Sequence, residues 1–298
     1  MESFANTLAE HAVAALLGVA AAMLLLTVTL WHAIHRYGAA IWRTASHAWE
    51  KFRHSALASH LRQIPVLGRA LRRSMTMARY LGFHAILSFV LAFVALGVFF
   101  KLADEIGLDE QLARFDTLLS SALALHAPQT LLHWMAVITV LGNRVVVLPL
   151  GALVTLVLVW RRLYVLAIAW VIATGAGALL NLMLKSMFER TRPPHEHGLI
   201  AANGWSFPSG HASGSMLMYG LLAYIVIRHT PRAWHLPVAV IAVLVIVFVG
   251  FSRVLLQVHY FSDVLAGYAS AAAWGSLCIA GYEIARRRSK KQGNGART

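Results

Sequence analysis

Two histidines, one aspartate and several cations lie in three short segments of the second half of this chain. The third segment reads Ser252-Arg253-Val-Leu-Leu-Gln-Val-His259-Tyr-Phe-Ser-Asp263. His259 and Asp263 are four residues apart, a spacing that makes them neighbours on one helix face. A carboxylate placed there accepts one imidazole N–H and leaves the other ring nitrogen free as a nucleophile. Taken alone, the pair is also consistent with a satisfied interfacial His–Asp contact.

The second segment, Phe207-Pro208-Ser209-Gly210-His211, directly precedes a long apolar run. Ser209 is a typical N-cap residue, and the exposed N–H groups of the first helical turn form a preorganised anion site. Gly210 lets the backbone come close to a ligand. His211 then stands at the start of the helix, where it can exchange a proton. A capped turn with an incidental histidine is the alternative.

The first segment runs from Lys185 to Arg192 and Pro193. Lys185 and Arg192 are seven residues apart, or two helical turns, which predicts that both point along one face near a helix end. Pro193 disfavours helix at Arg192, so the chain is expected to turn there. A cationic collar that snorkels to a membrane surface explains the segment equally well.

Together, the three segments contain what phosphoryl transfer through a phosphohistidine needs. These parts are cations, an N–H cradle, two histidines and an orienting acid. Arg190 is either a further phosphate ligand or an exposed loop arginine, and is left out of the predicted site. His195-Glu196-His197 resembles a metal-binding pattern, but a polar loop flanked by proline is the commoner explanation.

The chain that carries these segments is built for a bilayer. Of its 298 residues, 59% are hydrophobic and 13% are charged, and the apolar residues form long blocks. A helix of about 20 residues crosses ~30 Å of hydrocarbon. Seven blocks meet or approach this length: Ala12–Trp31, Tyr80–Phe100, Val145–Trp160, Leu163–Leu184, Ala212–Ile227, Leu236–Phe251 and Val264–Tyr282. The predicted fold class is all-α, a polytopic bundle with a six-span core and one N-terminal span.

The charges between the spans predict the orientation. Basic residues concentrate in 34–82, Arg161–Arg162, Arg228–Arg232 and the tail, whereas acids dominate the loop after the second span. With an external N-terminus, all four basic regions lie on the cytoplasmic side. The three motif segments then share the external face. An external interfacial helix is expected between Gln111 and Asn143, ahead of the third span.

The predicted organisation follows from these spans. It comprises an N-terminal span (1–34), a basic cytoplasmic linker (35–83), a six-span core (84–283) and a basic cytoplasmic tail (284–298). The formal charge of +14 does not indicate nucleic-acid binding, because basic loops beside spans follow from topology and attraction to anionic lipid. Membrane lipids are the expected partners, and no pattern specifies an oligomer. Cys278 is the only cysteine, so no intrachain disulfide forms.

The three segments resemble the signature of the type 2 phosphatidic acid phosphatase superfamily. The matching residues are Lys185-x6-Arg192-Pro193, Pro208-Ser209-Gly210-His211 and Ser252-Arg253-x5-His259-x3-Asp263. The resemblance extends over His84–Glu283 as the usual six-span core, to which the N-terminal span and linker are additional. It implies that His259 attacks phosphorus, that Asp263 orients it, and that His211 protonates the leaving group and then activates water. Lys185, Arg192, Ser209, Gly210 and Arg253 would hold the phosphoryl oxygens.

The resemblance also implies metal independence, since cations supply the charge that a metal supplies elsewhere, so no cofactor is expected. The expected substrate is a lipid phosphate or pyrophosphate, such as undecaprenyl pyrophosphate, phosphatidylglycerophosphate or phosphatidic acid. Short basic loops favour a bacterial inner membrane with the site facing the periplasm. A lipid phosphotransferase and a non-catalytic lipid-phosphate binder are the competing functions. A transporter is disfavoured because the ionisable residues gather at one membrane face.

Overall fold

The computed structural model describes residues 1–55, 83–106, 110–194, 199–200 and 202–295, and within these ranges the regular elements are helical. Two 3₁₀ turns, Thr139–Gly142 and Arg232–Trp234, precede α6 and α9 of the following series. The α-helices are α1 (Glu2–Glu10), α2 (Ala12–Arg53), α3 (Phe83–Asp104), α4 (Gln111–His126), α5 (Gln129–Ile138), α6 (Arg144–Trp160), α7 (Tyr164–Phe188), α8 (Gly210–His229), α9 (His235–Leu255) and α10 (Phe261–Gly295). The predicted all-α class is confirmed.

Seven stretches of helix among the described residues are long and apolar enough to cross a membrane, and they coincide with the seven predicted spans. The third is longer than expected, because α5, the 3₁₀ turn and α6 run together as Gln129–Trp160. The predicted interfacial helix is therefore shorter than the stretch from Gln111 to Asn143. Only α4 is separate from the span, and it ends at His126 before Pro128.

The sides of the spans show why they belong in lipid. Phe93 is 73% exposed, Leu156 is 66% exposed and Val165 is 58% exposed. Water would solvate so much contiguous apolar surface poorly, whereas hydrocarbon solvates it well. The span surfaces therefore agree with the length criterion, and the protein is an integral membrane protein.

The chain divides into two compact units. The first comprises Met1–Thr27 and Leu91–Ser276, and it contains every residue of the predicted site. The second comprises Val28–Val90 and Leu277–Thr298, and in it Arg286 pairs with Glu283 at 2.8 Å. Residues 56–82, most of the predicted linker, lie outside the described residues. The domain boundaries expected from the sequence stay a prediction.

Within the first unit, α1 packs against α4. Ala5 and Ala9 are fully buried in a cluster that also contains Leu119 and Leu123. The alanines are four residues apart, so they form a narrow stripe on one face of α1 that lets the two helices approach closely. The N-terminal segment is thus packed onto the helix that precedes the third span.

Two glycines permit the close contacts that position the predicted catalytic segments. A Cβ on Gly267 of α10 would lie 2.7 Å from the carbonyl oxygen of Ser209, at the start of α8. A Cβ on Gly142 would lie 3.1 Å from Cδ2 of His211 and 2.6 Å from Cγ1 of Val249. Side chains at either position would push these elements apart, because packed interiors leave no room for an added carbon.

Candidate active site

The predicted site residues lie at adjoining ends of four spans. Lys185 is in the last turn of α7, Ser209 is the N-cap of α8, Arg253 is in the last turn of α9, and Asp263 is in the first turn of α10. Since consecutive spans alternate in direction, these four ends fall on the same side of the bundle. One cavity of about 1020 Å³ is lined by Lys185, Arg192, Gly210, His211, Arg253 and His259, among others.

His259 lies just before α10, in the short connection from α9. The prediction that His259 and Asp263 share a helix face is wrong, because α10 begins only at Phe261. The two side chains nevertheless meet, with Nδ1 of His259 3.3 Å from Oδ2 of Asp263. The turn into α10 brings them together, since the backbone N–H of Tyr260 donates to the same carboxylate at 2.9 Å.

The contacts of His259 indicate its tautomer. Nη1 of Arg192 lies 3.3 Å from Nε2 of His259, and a guanidinium can only donate. Nε2 must therefore carry the lone pair, and Nδ1 carries the hydrogen that faces Asp263. The nitrogen that could attack phosphorus points towards a cation that could hold the phosphate, as nucleophilic catalysis requires.

The surroundings of His259 also keep its ring neutral. Burial is the main cause that lowers the pKa of His259 to about 4, and the positive charges of Arg192 and Arg253 lower it further, against the opposing effect of Asp263. At neutral pH the imidazole is therefore unprotonated and able to act as a nucleophile.

The sequence allowed two interpretations of Arg190, a phosphate ligand or an exposed loop arginine, and the second is wrong. Its side chain is 12% exposed and pairs with Asp263 at 2.8 Å and with Asp116 at 2.9 Å. Its guanidinium also stacks over the ring of Tyr260, 4.3 Å from the centroid. Arg190 thus binds two carboxylates rather than solvent.

Sequence reasoning missed two residues beside Asp263. The hydroxyl of Ser206 donates to Oδ2 of Asp263 and lies 3.3 Å from Nδ1 of His259. Asp116 was counted only as an external acid, but it is 1% exposed. An acid among the apolar residues of α4 was the one available signal for Asp116. For Ser206, the sequence offered none.

Lys185 and Arg192 do not share a helix face, contrary to the prediction. The helix ends at Phe188, and Glu189 takes up a left-handed conformation with φ of 46°. Arg192 therefore lies in the following loop. Its Nε donates to the carbonyl of Gly204 at 3.0 Å. Nζ of Lys185 donates to the carbonyl of Ser206 at 3.3 Å.

The start of α8 forms part of the predicted anion cradle. Ser209 is its N-cap, with Oγ accepting from the N–H of Ala212 at 3.5 Å. The N–H of Ser209 donates to the carbonyl of Asp263 at 2.9 Å. It is therefore not available to a phosphate, although Ser209 was predicted to hold phosphoryl oxygens. Gly210 and His211 are the first two residues of the helix and line the same cavity, and their N–H groups have no intrahelical acceptor.

Two buried donors on the cavity wall have no hydrogen-bond partner among the described residues. One is Nε of Arg253, whose Nη1 donates to Thr139 at 2.9 Å. The other is the amide nitrogen of Asn181, one turn before Lys185 on α7. Unpaired buried donors are costly, and anionic oxygens would satisfy them. Asn181 is a further residue that sequence reasoning missed.

The described residues contain no cluster of three or more His, Cys, Asp or Glu side chains suited to a metal ion. The pattern His195-Glu196-His197 lies outside the described residues. The site is instead rich in nitrogen donors around one cavity, beside a neutral imidazole paired with a carboxylate. The fold and site define a membrane protein with a cation-lined cavity suited to an anionic group such as a phosphate.

Comparison with known proteins identifies the family. A sequence model of the PAP2 superfamily matches residues 163–287. Phosphatidylglycerophosphatase B of Bacillus subtilis is 34% identical over 155 residues, which cover 51% of this chain and 76% of the relative. A decaprenylphosphoryl-5-phosphoribose phosphatase of Mycobacterium tuberculosis is 35% identical over 117 residues, 36% of this chain and 58% of that protein. The chain belongs to the PAP2 superfamily, the type 2 phosphatidic acid phosphatases.

A solved structure agrees with this assignment. The crystal structure of a transmembrane PAP2 type phosphatidylglycerolphosphate phosphatase from Bacillus subtilis superimposes with a TM-score of 0.59 at 30% sequence identity. The match covers 63% of this chain and 94% of the other. The protein is thus a membrane-bound hydrolase that acts on lipid phosphates.

Proposed function

We propose that this phosphatase hydrolyses the terminal phosphate of a glycerophospholipid phosphate through a phosphohistidine on His259. The substrate is either phosphatidylglycerophosphate or phosphatidic acid. The observation that carries the mechanism is the contact of Nε2 of His259 with the guanidinium of Arg192 at 3.3 Å. This contact supports His259 as the nucleophile, because its free nitrogen would lie beside a cation able to clamp the phosphoryl group. The similarity to phosphatidylglycerophosphatase B supports this choice of lipid.

The reaction runs in two displacements. In the first, the lone pair on Nε2 of His259 forms the N–P bond and the P–O bond to the lipid alcohol breaks. His211, whose protonated form the bound anionic substrate favours, gives its proton to the departing oxygen. Asp263 accepts the Nδ1 hydrogen bond and stabilises the imidazolium. In the second, His211 takes a proton from water, the water oxygen bonds to phosphorus, and the N–P bond breaks to return the electron pair to His259.

The cations supply the electrostatic part of catalysis. Lys185, Arg192 and Arg253 line the cavity together with Gly210 and His211, the first residues of α8. Charge spreads over the phosphoryl oxygens in the transition state, and fixed donors in a buried site stabilise it without having to reorganise. The unpaired Nε of Arg253 is the donor best suited to gain a bond at that stage.

The shape of the cavity supports a lipid substrate. Its wall includes Lys185, Asn181, Ala178, Thr174 and Trp170, all on α7. These residues recur every three or four positions, so they occupy one helix face over 15 residues, or about 22 Å. In a bilayer, this wall would extend from the cations towards the acyl chains, where a hydrocarbon tail can lie.

An isoprenyl pyrophosphate such as undecaprenyl pyrophosphate is the second candidate, favoured by the similarity to an enzyme whose name specifies a decaprenyl lipid.

The experiment is a panel of phosphatidylglycerophosphate, phosphatidic acid and undecaprenyl pyrophosphate at equal mole fraction in detergent micelles with chelator. Initial rates of phosphate release rank the substrates. Release from a single lipid with no added acceptor lipid distinguishes a hydrolase from a phosphotransferase. If the folded protein releases phosphate from none of these lipids, the proposal is contradicted.

We also propose that the protein resides in a bacterial inner membrane with its site facing the periplasm. The acidic loop before α4 and the basic residues after α6 support this orientation. In a Cys278→Ala background, single cysteines replace Glu110 and Arg161. An impermeant maleimide added to cells with a permeabilised outer membrane is expected to label only the first. The reverse labelling overturns the orientation.

A further inference from the structure

Asp116 sits far from the motif segments in sequence and next to them in space. It lies on α4, which is not one of the candidate spans. Its Oδ1 accepts the backbone N–H of Ser262 at 3.1 Å, and its Oδ2 accepts the hydroxyl of the same serine. It also accepts from Arg190 at 2.9 Å. All of these donors belong to segments that surround the catalytic His–Asp pair.

Arg190 connects Asp116 to Asp263. Its Nη2 donates to Asp116, and its Nη1 donates to Oδ1 of Asp263 at 2.8 Å. Oδ2 of Asp263 is thereby left for the hydrogen bond with His259. The orientation of Asp263 thus depends on where Arg190 is held, and Asp116 is the acceptor on its other side.

The charge of Asp116 matters as well as its position. Without it, the whole positive charge of Arg190 would act on Asp263 inside a buried site, where Coulombic effects are strong. The carboxylate would then be a weaker acceptor for the Nδ1 hydrogen of His259. Sharing Arg190 between two acids preserves the ability of Asp263 to stabilise the imidazolium that forms during phosphoryl transfer.

A second contact joins α4 to the other side of the nucleophile. The hydroxyl of Ser120, one turn after Asp116, donates to Oε1 of Gln257 at 2.5 Å. Gln257 is 1% exposed and has φ of 59°, a left-handed conformation that a glutamine adopts at a cost. Helix α4 therefore contacts the chain two residues before His259 and again three residues after it.

We propose that Asp116 is a positioning residue for phosphoryl transfer, acting through Arg190 and Asp263 on His259, with Ser120 of the same helix stabilising the connection that carries His259. The inference rests on the proposed phosphohistidine mechanism. It assigns α4, outside the three motif segments, a role in the rate of the chemical step.

The test compares Asp116→Asn with Glu110→Gln, which removes the same charge from an exposed residue just before α4. Asp116→Asn is expected to lower kcat about 10- to 100-fold, the scale of a small misplacement of a catalytic group, with KM within about twofold of wild type. Glu110→Gln is expected to leave both unchanged. An unchanged kcat, or a change confined to KM, overturns the inference.

Coupling to Arg190 separates positioning from a general loss of structure. If Asp116 acts through Arg190, then in the Arg190→Gln background Asp116→Asn is expected to lower kcat less than about twofold further, by the logic of double-mutant cycles. Additive losses overturn the proposed route. If Asp116→Asn fails to give a cooperative melt in detergent, Ser120→Ala takes its place and is expected to lower kcat about threefold to tenfold. An unchanged kcat in that variant then overturns the role of α4.

The same assays separate this inference from the proposed function. Activity in wild type and its loss in His259→Ala support the phosphohistidine mechanism whatever Asp116→Asn does. Full activity in Asp116→Asn together with an inactive His259→Ala rejects the role of Asp116 alone. Full activity in His259→Ala rejects the proposed mechanism, and the inference with it.

Discussion

The two sides of the active-site cavity differ in how well their polar groups are satisfied. On the nucleophile side, His259, Asp263, Ser206, Arg190 and Asp116 form one buried network in which the carboxylates accept several hydrogen bonds. On the phosphate side, Lys185 and Arg192 donate to backbone carbonyls. Nε of Arg253 and the amide nitrogen of Asn181, however, are buried with no partner among the described residues. One side is complete before substrate arrives, and the other still has donors to offer.

The difference follows from what each side has to do. In the proposed mechanism, His259 needs a fixed tautomer and direction before the reaction, and a satisfied network supplies both. The phosphate side has to hold an anion whose charge redistributes during the reaction. Donors that gain bonds with that anion contribute to its binding and to transition-state stabilisation. Removing one group at a time from either side tests this difference.

The largest effect is expected for His259→Ala. Loss of the nucleophile is expected to lower kcat about 10⁴-fold or more, as removing a covalent catalyst does in other hydrolases. His133→Ala, an exposed histidine on α5, is the control and is expected to keep full activity. Phosphate release from a lipid phosphate in detergent measures both. A His259→Ala variant with turnover close to wild type would place the nucleophile elsewhere.

Arg253→Gln is expected to have the next largest effect. It removes the buried cation whose Nε has no partner in the described part of the chain, and kcat/KM is expected to fall about 10²- to 10³-fold, the cost of removing one transition-state donor. Arg161→Gln, an exposed arginine after α6, serves as the matched control. Steady-state kinetics measure kcat/KM for both variants. Equal kinetics in Arg253→Gln and wild type would remove this residue from the phosphate side.

Asn181→Ala is expected to raise KM about fivefold, since one hydrogen bond to the bound lipid is worth about 1 kcal/mol. Its melting temperature is not expected to fall, because the substitution removes an unpaired buried donor. Asp116→Asn, by contrast, is expected to lower it by breaking a satisfied network. Thermal melts in detergent compare the two. A large loss of stability in Asn181→Ala would contradict the proposed difference between the two sides.

The last effect, on folding rather than on catalysis, concerns acid stability. The pKa of His259 is lowered to about 4 in the folded protein, against about 6.5 in the unfolded chain. Between these values the unfolded state binds the proton and the folded state does not, so stability falls as the pH drops from about 6.5 to 4. The contribution is on the order of 3 kcal/mol. Melts of wild type and His259→Gln across this range measure it, and parallel pH dependences would contradict it.

Local patterns predicted the spans well and the helix ends poorly. Apolar length located all seven spans, because the bilayer imposes that length directly. The end of α7 was placed too late, since Glu189 takes up a left-handed conformation that no glycine signals. His259 was placed on a helix that begins two residues after it. Spacing alone cannot distinguish a helical turn from a tight turn that brings the same residues together.

The sequence was sufficient to predict one part of the site, its chemistry, but not the whole of it. The identities and order of Lys185, Arg192, Ser209, His211, Arg253, His259 and Asp263 were enough to indicate phosphoryl chemistry and the superfamily.

The network behind Asp263 depended on packing. Asp116 reaches Ser262 across 146 positions and Arg190 across 74. The length of an apolar segment and the chemistry of its residues are local properties, so the sequence alone determines them. Which buried acid receives which arginine depends on how helices far apart in the chain pack together, and only the tertiary structure decides that.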